Sequence, residues 1–149
     1  MITLKRTNSE DVDFINLVVL LNQDLKIRDG DDHDFYNQFN HIDTIKHAIV
    51  FYEDEIAIGC GAFREKENDT AEIKRMFVHP DYRKRGIASA VLKELEKWAV
   101  EVNYKYTILE TGINQPEAIA LYQKQDYTII PNYPPYDVMD TSVCMKKTL

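Results

Sequence analysis

Glu72-Ile73-Lys74-Arg75-Met76-Phe77-Val78-His79-Pro80-Asp81-Tyr82-Arg83-Lys84-Arg85-Gly86-Ile87-Ala88-Ser89-Ala90-Val91 changes its period halfway along, and that change decides the fold. The run from Ala71 to Val78 is rich in β-branched and aromatic residues and predicts a strand. Pro80 removes a donor and fixes φ, so the strand stops at His79. A basic turn follows, Arg83-Lys84-Arg85-Gly86. From Ile87 the apolar residues recur at helical steps (Ile87, Val91/Leu92, Leu95, Trp98/Ala99, Val102), with Lys93, Glu94, Glu96 and Lys97 between them. The first N–H groups of a helix lack internal partners, and the helix dipole adds partial positive charge there. A strand, a glycine-containing basic turn and a helix therefore make an anion site, with Gly86 permitting close approach and Arg83, Lys84 and Arg85 adding charge.

Other phosphate loops do not fit. G-x-G-x-x-G is absent, and no Gly-Lys-Ser/Thr occurs in the chain. A plain solvated basic turn is the bland alternative. Against it stands the spacing: Arg83 to Ala88 reads Arg/Gln-x-x-Gly-x-Gly/Ala, preceded by Met76-Phe77-Val78-His79-Pro80. Together these resemble the acetyl-coenzyme A signature of the GNAT superfamily of N-acetyltransferases.

A chain of 149 residues fits one domain, residues 1–149, with a real core. Its 44% hydrophobic and 29% charged content is that of a globular protein. With 25 acidic against 18 basic residues and a net charge of −7, nucleic acid is disfavoured as a partner; a local basic turn on an acidic chain suits a small anion. No apolar run is long enough to span a bilayer and no secretory segment is evident, so a cytoplasmic location without membrane attachment is expected. Cys60 and Cys144 read as reduced core thiols. Neither they nor His33, His41, His47 and His79 have metal-ligand spacing, so no metal is expected.

Along the chain, Ile2–Arg6 predicts a strand and Glu10 to Asp24 a helix capped by Asn8 or Ser9, apolar on more than one face. That breadth implies cover on two sides and permits a homodimer. Leu25 to Asp43 is irregular: its aspartates suggest an acidic loop, either solvated or a wall that attracts a cationic amine, and a short amphipathic helix with Phe35, Tyr36 and Phe39 follows. Strands at His47–Tyr52 and Ile56–Phe63 form an antiparallel meander with the central strand. After the helix comes a strand at Tyr106–Thr111, which a right-handed crossover sets parallel to the central one. A loop, a helix over Glu117–Gln125 begun by Pro116, and strands at Tyr127–Ile130 and Ser142–Lys146 complete the chain. The expected fold is three-layered α/β, a mixed, mostly antiparallel sheet of about seven strands with one parallel pair (strands four and five) and helices on both faces. This order resembles the GNAT fold over nearly the whole chain.

The resemblance implies acetyl-CoA as co-substrate, lying where two parallel strands splay apart. Met76, Phe77 and Val78 would bind the pantetheine amides through the backbone, and Arg83, Lys84, Arg85, Gly86, Ile87, Ala88 and Ser89 would surround the pyrophosphate. Gln115 to Tyr122 resembles the family's N-x-x-A-x-x-L-Y segment, with Gln115 where asparagine is usual and Asn114 one place earlier; either amide could contact the cofactor. Tyr122 falls on the family's tyrosine. A phenol with a pKa of about 10 is a plausible donor to a departing thiolate whose own value is about 8.5. The amine acceptor must lose a proton. Glu72 matches the glutamate that serves as base in the histone-acetylating branch, and Glu110 is the alternative. The function implied is direct acetyl transfer from the thioester to a primary amine, a small molecule or a peptide amine. The alternative is a non-catalytic coenzyme A-binding regulatory domain.

Overall fold

The computed structural model describes residues 1–30 and 45–149. Seven strands form one sheet: β1 (Ile2–Thr7), β2 (His47–Glu53), β3 (Ile56–Glu67), β4 (Thr70–Val78), β5 (Tyr106–Gly112), β6 (Thr128–Ile130) and β7 (Ser142–Thr148). Their order is β1-β2-β3-β4-β5-β7-β6, and every neighbouring pair is antiparallel except β4 with β5. Three α-helices are described: α1 (Val12–Asp29), α2 (Ile87–Glu101) and α3 (Pro116–Lys124). The expected fold class is the one observed.

The sheet separates two cores. On one face Phe14, Leu17, Val18 and Leu21 of α1 pack on Ala48, Val50, Cys60, Ala62 and Phe77. On the other, Ile87, Val91, Leu92, Leu95 and Ala99 of α2 meet Ile49, Phe63 and Ile73 of the sheet, joined by Tyr122 and Tyr127. Burying each large aliphatic side chain in this way contributes about 1.5–3 kcal/mol.

Helix α1 differs from expectation at both ends. Its cap is Asp11, whose Oδ1 accepts from the Phe14 N–H at 3.0 Å, because Asn8 is used in a turn that receives the Glu10 N–H on its side chain at 2.9 Å. The helix continues through Leu25 to Asp29. Its second apolar face, including Val19 and Leu20, is exposed rather than covered. The remainder of the acidic loop, from Asp31 to Asp43, and the short helix expected with Phe35, Tyr36 and Phe39 lie outside the described residues.

Candidate active site

β4 and β5 are paired over three positions only, Thr70 with Tyr106, Ala71 with Thr107 and Glu72 with Ile108. Beyond them the strands part and a cleft of about 120 Å³, partly open to solvent, occupies the gap. Ile73, Lys74, Arg75 and Met76 of β4 form one wall, and Leu109, Glu110 and Thr111 of β5 the other. Helix α3 supplies Gln115 and Tyr122, and α1 supplies Leu21 and Leu25. Backbone groups on the open side of β4, through Met76, Phe77 and Val78, are thereby released from sheet pairing and are available to an extended ligand.

A bulge shapes the β4 wall. Phe77 pairs with Cys60 and Lys74 with Ala62, so Arg75 and Met76 together oppose Gly61. Arg75 takes up the extra residue at φ +62°, in the left-handed region that non-glycine residues seldom adopt. The Cys60 thiol donates to the Arg75 carbonyl at 3.3 Å. Beyond the bulge, Phe77 faces the α1 core and Met76 packs against the α2 core. A Cβ on Gly61 would lie 2.5 Å from the Met76 Sδ, so glycine is what admits the bulge's side chain.

The basic turn begins after a 3-10 turn at Pro80–Tyr82. Lys84 at φ +64° and Gly86 at φ +76° alternate with right-handed or extended neighbours, the backbone pattern that gathers successive N–H groups into an anion-binding concavity. Gly86 is the N-cap of α2 and offers no side-chain cap, so the first N–H groups of that helix have no side-chain partner. Ile87 is buried and anchors the turn, while the Ser89 hydroxyl accepts from Gln125 at 3.3 Å. The charges are distributed differently from expectation. Arg83 donates from Nε to the Val78 carbonyl at 2.9 Å and lies 3.7 Å from Asp24, and Arg85 is paired with Glu53. Lys84 alone of the three makes no ion pair among the described residues.

Tyr122 is buried, and burial together with Glu110 pushes its phenol well above the ordinary value, so it is a protonated donor. Glu110 stands on the β5 wall. Glu72 lies elsewhere, almost fully buried at 1% exposure and outside the cleft lining. Its Oε1 accepts from Arg64 Nε at 3.0 Å and its Oε2 from the Tyr133 hydroxyl at 2.8 Å. Burial would raise this carboxyl, but Lys74, Tyr133 and Arg64 together outweigh it and hold it below the usual range. A carboxylate with both oxygens occupied and its value lowered is a weak base. Of the two amides, Gln115 lines the cleft, with its Nε2 3.4 Å from the position of a Cβ on Gly112; Asn114 points its Nδ2 to the Arg28 carbonyl at 3.5 Å.

The sequence reading did not single out Lys74 or Arg75, which line the cleft together with Tyr136. Two successive cations, Lys74 and Arg75, between the apolar Ile73 and Met76 were the available signal. Among the described residues, no group of three or more His, Cys, Asp or Glu side chains could hold a metal ion.

A sheet opened between two parallel strands, above a helix start without a side-chain cap and beside a buried tyrosine, is an architecture found in acyl-CoA-dependent transferases. Residues 15–127 match the Acetyltransferase (GNAT) family model, and the chain belongs to that family. An IAA acetyltransferase from Azospirillum brasilense is 37% identical over 93 residues, 62% of this chain and 61% of that protein. Streptothricin acetyltransferase A of Bacillus subtilis (strain 168) is 32% identical over 84 residues, 56% of this chain and 49% of that one. The aligned stretches thus span about half to three fifths of these relatives. Among solved structures, one assigned as an acyl-CoA N-acyltransferase from Klebsiella pneumoniae subsp. pneumoniae MGH 78578 aligns with TM-score 0.82 and 28% identity, over 100% of this chain and 98% of that chain. A GNAT family acetyltransferase from Elizabethkingia anophelis with acetyl-CoA bound shares the fold, with TM-score 0.72 and 21% identity over 99% and 98% of the two chains.

Proposed function

We propose that this chain transfers an acetyl group directly from acetyl-CoA to a primary amine. The observation that carries the reading is the parting of β4 from β5 after three residue pairs, with Tyr122 and Glu110 both on the cleft so formed. The diphosphate of the co-substrate fits the concavity at Lys84–Ser89, chiefly through backbone N–H groups, and the pantetheine arm follows Val78, Phe77 and Met76 along the open edge of β4. Gln115 is the amide placed to meet it.

Transfer proceeds by attack of the neutral amine on the thioester carbon. Glu110, directly or through water, takes the amine proton; the C–S bond breaks and Tyr122 protonates the departing sulfur. A covalent acetyl-cysteine route is unsupported by either thiol. Burial pushes Cys60 up to about 12 and, together with nearby carboxylates, Cys144 up to about 11, so neither offers thiolate near neutrality. Among the described residues no helix is long and apolar enough to cross a membrane.

Calorimetric titration with acetyl-CoA, followed by a free-thiol assay over a panel of amines, tests the reading. Saturable binding and amine-dependent thiol release are expected. Binding without release on any amine would instead identify a coenzyme A-binding domain without turnover.

A further inference from the structure

Arg75 is 5% exposed, yet among the described residues its Nε and Nη2 have no hydrogen-bond partner. None of the ion pairs formed by the described residues includes it. Buried guanidinium groups are rare without a carboxylate or another acceptor, because removing the charge from water costs several kcal/mol that a partner normally offsets. Here burial depresses the group to about 10; Tyr136 opposes it, Arg64 adds to it, and Cys60 opposes it least. The backbone reinforces the anomaly, since the side chain is presented from the left-handed residue of a bulge, a conformation that itself costs about 1–2 kcal/mol. A strained backbone and an unsatisfied cation coincide on the wall of the cleft.

The coenzyme phosphates do not answer to this cation. Arg75 precedes Lys84 by nine residues, six of them beyond the end of β4, and the rise between Arg75 and Val78 alone is about 10 Å. Arg75 is also influenced by Cys60 and Tyr136, and Cys60 belongs to the core beneath α1, whereas Tyr122 and the helix that opens the phosphate turn belong to the opposite core. The guanidinium therefore serves the α1 side of the opening, the side walled by Leu21 and Leu25. Across from it stands Glu110 on β5, and beside it Lys74, whose Nζ is 3.3 Å from the Tyr136 hydroxyl. One wall is cationic and the other carries a carboxylate.

We infer that the acceptor is a primary amine that also bears a carboxylate, an amino acid or a molecule with that pair of groups, and that Arg75 binds the carboxylate while the amine lies toward Glu110. The planar fork of the guanidinium matches a carboxylate in two parallel hydrogen bonds, and the two unpartnered nitrogens, Nε and Nη2, form one edge of that fork. This deepens the acetyltransferase reading and rests on it.

The test pairs L-amino acids with their carboxamides, which keep the amine and remove the charge. For the intact protein, kcat/KM in the thiol assay is expected to favour the acids by about tenfold or more, carried mainly in KM. In Arg75→Met that ratio falls to within about threefold, Arg75→Lys recovers part of it, and the calorimetric Kd for acetyl-CoA stays within about twofold. Ligand-free Arg75→Met is expected to melt at or above the temperature of the parent, since an uncompensated buried charge has been removed. Equal use of acids and amides by the parent overturns the inference, as does a lower melting temperature for Arg75→Met. A preference for succinyl-CoA over acetyl-CoA that disappears in Arg75→Met also overturns it, by assigning the carboxylate to the acyl group. Should acetyl-CoA fail to bind, the transferase reading falls by itself. Thermal stabilisation by N-acetyl-L-phenylalanine but not by its amide, lost in Arg75→Met, then still supports the carboxylate site, and equal stabilisation by the two overturns it.

Discussion

At the residue scale, the two glutamates show how position in a fold divides identical chemistry. Glu72 has both oxygens committed, to Arg64 and to Tyr133, whereas Glu110 stands on the cleft wall. Replacing Glu72 by Gln removes a charged partner from Arg64 and is expected to cost on the order of 2 kcal/mol of stability, read from urea denaturation, with kcat on a good acceptor little changed. Glu110→Gln should do the reverse, lowering kcat/KM at neutral pH by about 100-fold with recovery as pH rises toward the amine's own pKa. A Glu72→Gln enzyme that folds normally but turns over as poorly as Glu110→Gln would return the base to Glu72. Tyr122→Phe keeps the ring that packs against Tyr127 (centroids 5.7 Å apart) and deletes only the proton. Its kcat is expected to fall by about 100-fold or more while the Kd for acetyl-CoA is retained. Unchanged kcat on a good acceptor would remove the acid role. None of this division was legible in the sequence, because Arg64 and Tyr133, which claim Glu72, lie 8 and 61 residues away from it.

At the scale of elements, the strand–turn–helix unit was readable because its apolar period changes from two to nearly four at Gly86, and such patterning reports which face each segment buries. The reach of α1 was not: Lys26, Arg28 and Asp29 are polar, and no stop signal before Gly30 marks the end. The bulge in β4 was invisible for another reason. Nothing in Lys74-Arg75-Met76 departs from strand composition, and the added residue shows itself only in the pairing with β3. Two glycines separate steric from conformational demands here. Gly61→Ala would place its Cβ 2.9 Å from side-chain carbons of both Leu95 and Val91 as well as against Met76, and overpacking of that kind costs about 1–3 kcal/mol. Gly86→Ala meets nothing within 4 Å, so its penalty is the left-handed backbone alone, about 1 kcal/mol. The second change also disturbs the concavity that receives the diphosphate. Gly86→Ala is therefore expected to weaken acetyl-CoA binding more than Gly61→Ala does, although it is the milder lesion in thermal unfolding. Calorimetry and melting curves on both variants check that inversion; the same rank order in both measurements would argue against the phosphate role of the turn.

At the scale of the molecule, an open sheet stays together because each face has its own core, one under α1 and one under α2, and the titrating groups buried in and around them set the pH range of stability. Glu72 and Asp11 are held below the ordinary carboxyl range: in both, burial acts upward but is outweighed, by Lys74, Tyr133 and Arg64 for Glu72 and by Lys5, the Phe14 N–H and Thr7 for Asp11. A depressed folded-state value means that the unfolded chain binds the proton first. The stability these groups supply is complete above the unfolded value of about 4.3 and is lost as pH falls through the lower folded values. The thiols have the opposite sense. Burial raises Cys60 to about 12 and, aided by nearby carboxylates, Cys144 to about 11, so between the unfolded value of about 8.5 and those limits the folded state holds protons that the unfolded chain has released. Stability then declines as pH rises, by at most about 1.4 kcal/mol per pH unit for each thiol, and the buried phenols of Tyr122 and Tyr136 extend the decline above pH 10 or so. Urea midpoints measured across pH are accordingly expected to be flat from about 7 to 8 and to fall on both sides, the acid side opening with His47, which burial lowers and which the unfolded chain protonates first. Glu72→Gln should make the acid limb shallower and leave the alkaline limb alone. The double variant Cys60→Ala with Cys144→Ala should move the start of the alkaline limb from about 8.5 to about 10, where only the phenols remain. If that limb begins at the same pH in the double variant, the thiols are not what the folded state protects from losing protons.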